Sequence, residues 1–128
     1  MIEKIIISGY TATPENTKME KTALGSSDSV DWEYTEDVID TIKNLKNKGI
    51  KVISVEQADK SLKIEKFIPE QGIKYAFVFG NEVDGVSDEI ILESDQVLEI
   101  PQVGTKHSLN VSVAAGIILW DFYQKTEI

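Results

Sequence analysis

Phe77-Val-Phe-Gly-Asn-Glu-Val-Asp-Gly85, then Glu99-Ile-Pro-Gln-Val-Gly104, then Ser108-Leu-Asn-Val-Ser-Val-Ala-Ala-Gly-Ile-Ile-Leu-Trp120 decide the fold of this 128-residue chain. The first two stretches end apolar runs at a glycine or a proline. The third leads from polar residues into an almost wholly apolar segment. Ile73 to Phe79 reads as a strand covered on both faces, since strands buried in parallel sheets are continuous apolar runs. Gln96 to Ile100 reads as another, broken by Pro101. Ser87 predicts the N-cap of a short helix containing Ile90, Ile91 and Leu92. Ser108 predicts that of a final helix from Leu109 to about Gln124.

Working outward, Ile2 to Ser8 reads as a strand ended by Gly9 and a loop rich in Thr, Pro and Asn. Lys18 to Leu24 is expected to form a short helix stopped by Gly25. Thr35 is the expected N-cap of a helix that carries Val38, Ile39, Ile42 and Leu45 on one face and stops at Gly49. Ile50 to Val55 is the next strand. Residues 56–71 read as loop with one short turn of structure, ending at Pro69. Strands alternating with helices predict an α/β fold, an open parallel sheet with right-handed crossovers. No repeat, low-complexity tract or linker interrupts it, so residues 1–128 are expected to form a single domain.

Composition excludes several function classes. Cysteine is absent, which removes disulfides, thiolate metal sites and cysteine nucleophiles. The single His107 leaves no His-rich metal cluster, Asp84 and Asp88 lack the spacing of a calcium loop, and no metal site is expected. No apolar run approaches the ~20 residues of a membrane span, and the N-terminus has no signal-peptide pattern. The cytoplasm is the expected location. The net charge is −9, and all 13 basic residues are Lys. Without Arg there is no bidentate phosphate fork, and the acidity opposes unaided nucleic-acid binding. Lys43, Lys46, Lys48 and Lys51 read first as cations solvated at a helix C-terminus.

In open parallel sheets, ligands gather beyond the carboxyl ends of the strands. The turns at Gly80 and at Pro101 to Gly104 both belong there. Glycines let a ligand approach the backbone, whose N–H and C=O groups can read an adenine. There is no phosphate loop and no dinucleotide fingerprint. A neutral or zwitterionic nucleoside therefore suits the pocket better than a polyphosphate. Glu82 is either a solvated turn carboxylate or a group aimed into that pocket. Asn110 reads first as satisfying nearby backbone groups, Gly85 and Gly104 as turn glycines, and Trp32 and Trp120 as packing residues.

Gly80-Asn-Glu-Val-Asp-Gly85, Ile100-Pro-Gln-Val-Gly104 and Ser108-Leu-Asn-Val-Ser-Val-Ala114 together resemble the second and third motifs of the SpoU/TrmH family. These are RNA ribose 2′-O-methyltransferases of the SPOUT class. Ser8-Gly-Tyr-Thr-Ala-Thr-Pro14 with Lys21-Thr-Ala-Leu-Gly25 is similar to one bacterial branch, so the resemblance covers nearly the whole chain. It implies a C-terminal deep trefoil knot, S-adenosylmethionine held in a bent form by the knot's loops, and an obligate homodimer. By carry-over, Gly80, Ile100 and Leu109 match cofactor contacts, and Glu82, Ser108 and Asn110 match polar residues of the active site. The implied reaction moves a methyl group to a ribose 2′-hydroxyl of tRNA or rRNA.

One part of the family pattern is missing. Its first motif, Asn-x-Gly-x-x-x-Arg, supplies the Arg to which activation of the hydroxyl is attributed, and this chain has no Arg. The strand and helix bearing that motif would lie just upstream of Met1. Two explanations compete, a truncated chain and a natural short form that has lost chemistry. Truncation is favoured, because removing a strand from within a parallel sheet leaves buried backbone groups without partners. The functional alternative to methyl transfer is a non-catalytic cofactor-binding or dimerisation module.

Overall fold

The computed structural model of the protein describes residues 2–8, 30–80, 85–102 and 110–127. The chain divides into two units, residues 1–41 and 42–128. In the first, strand β1 (Lys4–Ser8) pairs in parallel with β2 (Asp31–Thr35), from Lys4 opposite Asp31 to Ser8 opposite Thr35. Ile7 is buried, and Lys4 faces Glu33 at 3.5 Å on the exposed side. The segment expected as a helix over Lys18–Leu24 lies outside the described residues.

β2 corrects the sequence reading, which gave Thr35 to a helix cap. Trp32 and Tyr34 alternate with Asp31, Glu33 and Thr35, a period-two pattern with strand-favouring aromatics. Thr35 ends this strand, and Asp37 is the cap. The Asp37 carboxylate Oδ1 accepts from the Asp40 N–H at 3.0 Å, while the Thr35 hydroxyl accepts from the Asp37 N–H at 3.3 Å. Helix α1 (Val38–Asn47) follows, and the division between the units falls within it. It ends before Gly49, as expected.

The second unit holds β3 (Lys51–Val55), β4 (Leu62–Lys63), a 3-10 turn (Ile64–Lys66), β5 (Tyr75–Phe79), helix α2 (Asp88–Glu93), β6 (Gln96–Glu99) and helix α3 (Val111–Glu127). The four strands run parallel in the order β4-β6-β3-β5. β3 is central and apolar, with Val52, Ile53 and Ser54 fully buried. Ser54 is satisfied by a hydroxyl–hydroxyl bond to Ser94. Asp95 and Val52 exchange two bonds of 2.7 Å, through the Asp95 carboxylate and backbone N–H, which clamps the α2–β6 junction to β3. Ser87 caps α2 as expected, its hydroxyl accepting from the Ile90 N–H at 3.3 Å.

Ile53, Leu98, Phe67 and Ile118 form the buried core of this unit. Phe122, one turn beyond Ile118 on α3, meets Tyr75 and Phe77 edge-on, each at 5.5 Å between ring centres. Burying each such side chain contributes about 1.5–3 kcal/mol. β5 departs from expectation in two ways. Its five residues are only half-buried, and among the described residues it pairs with β3 alone. Residues 56–71, expected as loop with one turn, also contain the short strand β4.

The start of α3 is a second correction. The helix begins at Val111 rather than Leu109, and Asn110 caps it: the Asn110 side-chain Oδ1 accepts from the Ser112 N–H at 2.8 Å, and its backbone carbonyl accepts from the Ala114 N–H at 2.9 Å, while Ser108 lies outside the described residues. Within the C-terminal part expected to form the knot, residues 103–109 lie outside the described residues. Among the described residues, no helix is long and apolar enough to cross a membrane.

Candidate functional site

Pairing brings Val55, the last residue of β3, level with Phe79 of β5 and Leu98 of β6. Three strands therefore end together, where a parallel sheet places its ligands. An open cleft of about 540 Å³, its solvent-facing mouth included, lies beyond them. Val55, Glu56 and Gln57 line it from β3, Phe79, Gly80 and Gly85 from β5 and its turn, Ile100 and Gln102 from beyond β6. Val111 and Ala114 close it from the first turns of α3. All of these residues belong to the second unit.

The turn after β5 is built on two glycines. A Cβ on Gly80 would lie 2.0 Å from the carbonyl carbon of Gly85, so the backbone can fold back only if position 80 has no side chain. Gly85 has φ +66°, a left-handed conformation that glycine adopts without penalty. A Cβ there would also come within 2.2 Å of the Glu56 carboxylate. That carboxylate is held at both oxygens. Oε2 accepts from the Val86 N–H at 2.9 Å, and Oε1 accepts from the Gln57 N–H at 3.0 Å. The Glu56 N–H in turn donates to the Leu98 carbonyl at 3.0 Å, which continues the β3–β6 ladder.

Of the residues expected at the site, Gly80 and Ile100 line this cleft, and Asn110 immediately precedes Val111 on its wall. Glu82, Ser108 and Leu109 lie outside the described residues, as do Gly104 and His107. Glu56 and Gln57 are the polar lining residues that sequence reasoning missed, whereas Gln102 belongs to the Pro101–Gly104 turn placed at this edge. A signal existed for Glu56, since it is the first polar residue after a strand buried on both faces. Of the lysine group, Lys46 sits in the last turn of α1 as read, whereas Lys51 lies on β3, and each has a partner. Lys46 donates to the Glu93 carbonyl at 2.9 Å, and Lys51 pairs with Glu70. Trp120 corrects its assignment as a packing residue, because it is 55% exposed and stacks only on Tyr123 among the ring pairs of the described residues, at 5.7 Å.

The lining suits a nucleoside. Val55, Phe79, Ile100, Val111 and Ala114 offer apolar walls to a purine, and Glu56, Gln57 and Gln102 offer polar groups to its edge or sugar. No basic side chain lines the cleft among the described residues, which speaks against a polyphosphate. Nor do three His, Asp or Glu side chains gather where they could hold a metal ion among the described residues.

The sequence model of the SpoU rRNA Methylase family matches residues 1–120. The chain is 32% identical over 104 residues to the 23S rRNA (guanosine-2′-O-)-methyltransferase RlmB of Neisseria meningitidis, an overlap that covers 81% of this chain and 40% of the relative. It is 33% identical over 99 residues to the tRNA (guanosine(18)-2′-O)-methyltransferase of Aquifex aeolicus, covering 75% and 46%. The solved structure of an AdoMet-bound rRNA methyltransferase from Sinorhizobium meliloti superposes with a TM-score of 0.85 at 25% identity, over 95% of this chain and 46% of that one. The parallel α/β fold is therefore shared, while the chain spans less than half the length of these two curated relatives.

Proposed function

Because this chain belongs to the SpoU rRNA methylase family, we propose that it is the S-adenosylmethionine-binding domain of an RNA ribose 2′-O-methyltransferase acting on tRNA or rRNA. The observation that carries this reading is the cleft at the joined ends of β3, β5 and β6, bordered by Gly80 and Ile100. Its apolar walls and uncharged amides fit the adenosyl part of that cofactor, and the lack of cations among its described lining residues fits a ligand without phosphates. When bound, the cofactor supplies an electrophilic methyl on a sulfonium centre.

The chain's own share is positioning. Gly80 and Ile100, with Leu109, hold the adenosyl group through the backbone. Glu82, Ser108 and Asn110 are assigned to the side of the cleft where the ribose hydroxyl enters. Attack by the 2′-oxygen on the methyl carbon breaks the carbon–sulfur bond and leaves the hydroxyl proton to be accepted. Holding the two reactants in line supplies much of the rate, because an activated methyl needs orientation more than further activation. The hydroxyl is a poor nucleophile until a base or electrostatic partner weakens its proton. Glu82 is the carboxylate we assign to that task.

We further assign the chain to a cytoplasmic homodimer built on one domain that carries the family's knot. The exposed apolar residues Val113, Ile117 and Trp120, spaced on one side of α3, support that assembly. The second reading is a cofactor-binding or dimerisation module without chemistry, which the same cleft would serve. Titration calorimetry with S-adenosylmethionine and transfer of labelled methyl to bulk tRNA and rRNA separate the readings. The enzyme binds the cofactor and labels RNA, and Glu82→Ala or Asn110→Ala abolishes labelling. Heat release without labelled RNA identifies the module, and a flat titration removes both.

A further inference from the structure

Glu56 has no place in the motifs, yet it occupies the middle of the cleft. The strand order puts β3 between β5 and β6, so Glu56 stands between Gly80 and Ile100. A ligand that touches both turns must pass over it. Its carboxylate is fixed by bonds from the Val86 and Gln57 N–H groups, at 2.9 and 3.0 Å. A carboxylate oxygen has two acceptor sites, and among the described residues each here has one taken, by Val86 and by Gln57, which leaves a second on each oxygen. Two acceptors about 2.2 Å apart on a rigid plane match a vicinal diol, the match by which an acid beyond a sheet strand holds a ribose.

Resting on the cofactor reading above, we propose that Glu56 receives the ribose of the adenosyl ligand, its two oxygens accepting hydrogen bonds from the 2′- and 3′-hydroxyls. The same carboxylate also holds the turn after β5 through Val86. Glu56 is a specificity-determining residue in this scheme. It rejects adenosyl ligands that lack the diol, since a fixed acceptor left without a donor loses its bond to water and gains nothing in return.

The test uses calorimetry on the full chain, wild type and Glu56→Gln, with three ligands. S-adenosylhomocysteine carries the diol and an ammonium, 5′-methylthioadenosine carries the diol without the ammonium, and the 2′-deoxy form of S-adenosylhomocysteine carries the ammonium without the diol. The wild type is expected to bind S-adenosylhomocysteine about 10- to 100-fold more tightly than its 2′-deoxy form, the range for hydrogen bonds to a charged acceptor. Glu56→Gln is expected to weaken both diol ligands by similar factors and to weaken the 2′-deoxy ligand, which keeps only the 3′-hydroxyl bond, several-fold less. Equal losses for all three ligands would assign Glu56 to the turn alone and overturn the proposal. A loss confined to the two ammonium-bearing ligands would make the ammonium its partner, and overturns it too. The wild-type ratio stands without the variant, so a poorly folded Glu56→Gln does not rescue a wild type that ignores the diol. If the wild type binds none of the three, the cofactor reading itself fails and the proposal falls with it.

Discussion

Gly80 and Gly85 flank one turn but exclude a side chain for different reasons. At Gly80 the obstacle is backbone, the Gly85 carbonyl carbon 2.0 Å from the missing Cβ. At Gly85 it is the φ of +66° together with the tip of a side chain, Glu56 Oε2 at 2.2 Å. Gly85→Ala is expected to cost about 1–2 kcal/mol from the backbone, and about 1–3 kcal/mol more from displacing a carboxylate that satisfies Val86. Gly80→Ala costs about 1–3 kcal/mol as overpacking. Urea denaturation of the single variants and of each combined with Glu56→Ala checks this. The cost of Gly85→Ala shrinks in the Glu56→Ala background, because the two residues share a contact. The cost of Gly80→Ala does not shrink. The glycines of this turn were legible in the sequence, because no other residue makes such a turn cheaply. Glu56 was not, because an acid after a strand is ordinarily a solvated loop residue, and only the strand order shows it between two turns.

At the scale of elements, helix starts were the least legible feature. Thr35 is a good cap by residue type, yet Asp37 caps α1, and α3 starts two residues later than expected, after Asn110. Two or three eligible residues precede each helix, and the choice among them depends on where the preceding strand or turn releases the chain. β2 was missed for a related reason, since its aromatic alternation was overshadowed by the polar residues read as a cap. β3, β6 and α2 were read nearly to their ends, because apolar runs bounded by Gly, Ser and Pro admit few alternatives. Asn110 carries two roles on the proposed reading, cap and active-site group, and they can be separated. Asn110→Ala is expected to destabilise the fold by about 1 kcal/mol, and Asn110→Asp by only a few tenths, because Asp caps as well as Asn. Urea midpoints measure the cap, and methyl transfer by Asn110→Asp measures the rest. A stable Asn110→Asp without transfer assigns the carboxamide to the reaction, and full transfer confines Asn110 to the helix.

For the whole molecule, the parallel order of the strands followed from their alternation with helices. The partition into two units did not, because nothing in composition marks residue 41. The apolar character of α3 was equally visible, but not its division into faces. Ala114 and Ile118 are buried, whereas Val113, Ile117 and Trp120 are 50%, 38% and 55% exposed. On the proposed reading this exposed face is where two copies meet. Ile117→Glu is expected to convert a dimer to a monomer at micromolar concentration, measured by light scattering after size exclusion. Ile117 lies outside the buried core, so the melting temperature measured at high dilution should change little. A wild-type monomer under the same conditions would sink the dimer. The formal charge of −9 acts in the opposite direction, since like-charged copies repel and added salt weakens that repulsion.

The stack of Trp120 on Tyr123 makes this face its own optical reporter. There are two tryptophans in the chain, and the other, Trp32, is half-buried in the first unit. Replacing Trp32 with Phe leaves the exposed indole as the sole tryptophan, which excitation at the red edge selects over the four tyrosines. Its fluorescence then starts near the wavelength of a water-bathed tryptophan and moves to the blue when anything covers α3. Assembly becomes visible in a cuvette as a colour shift with concentration, without any label on the protein.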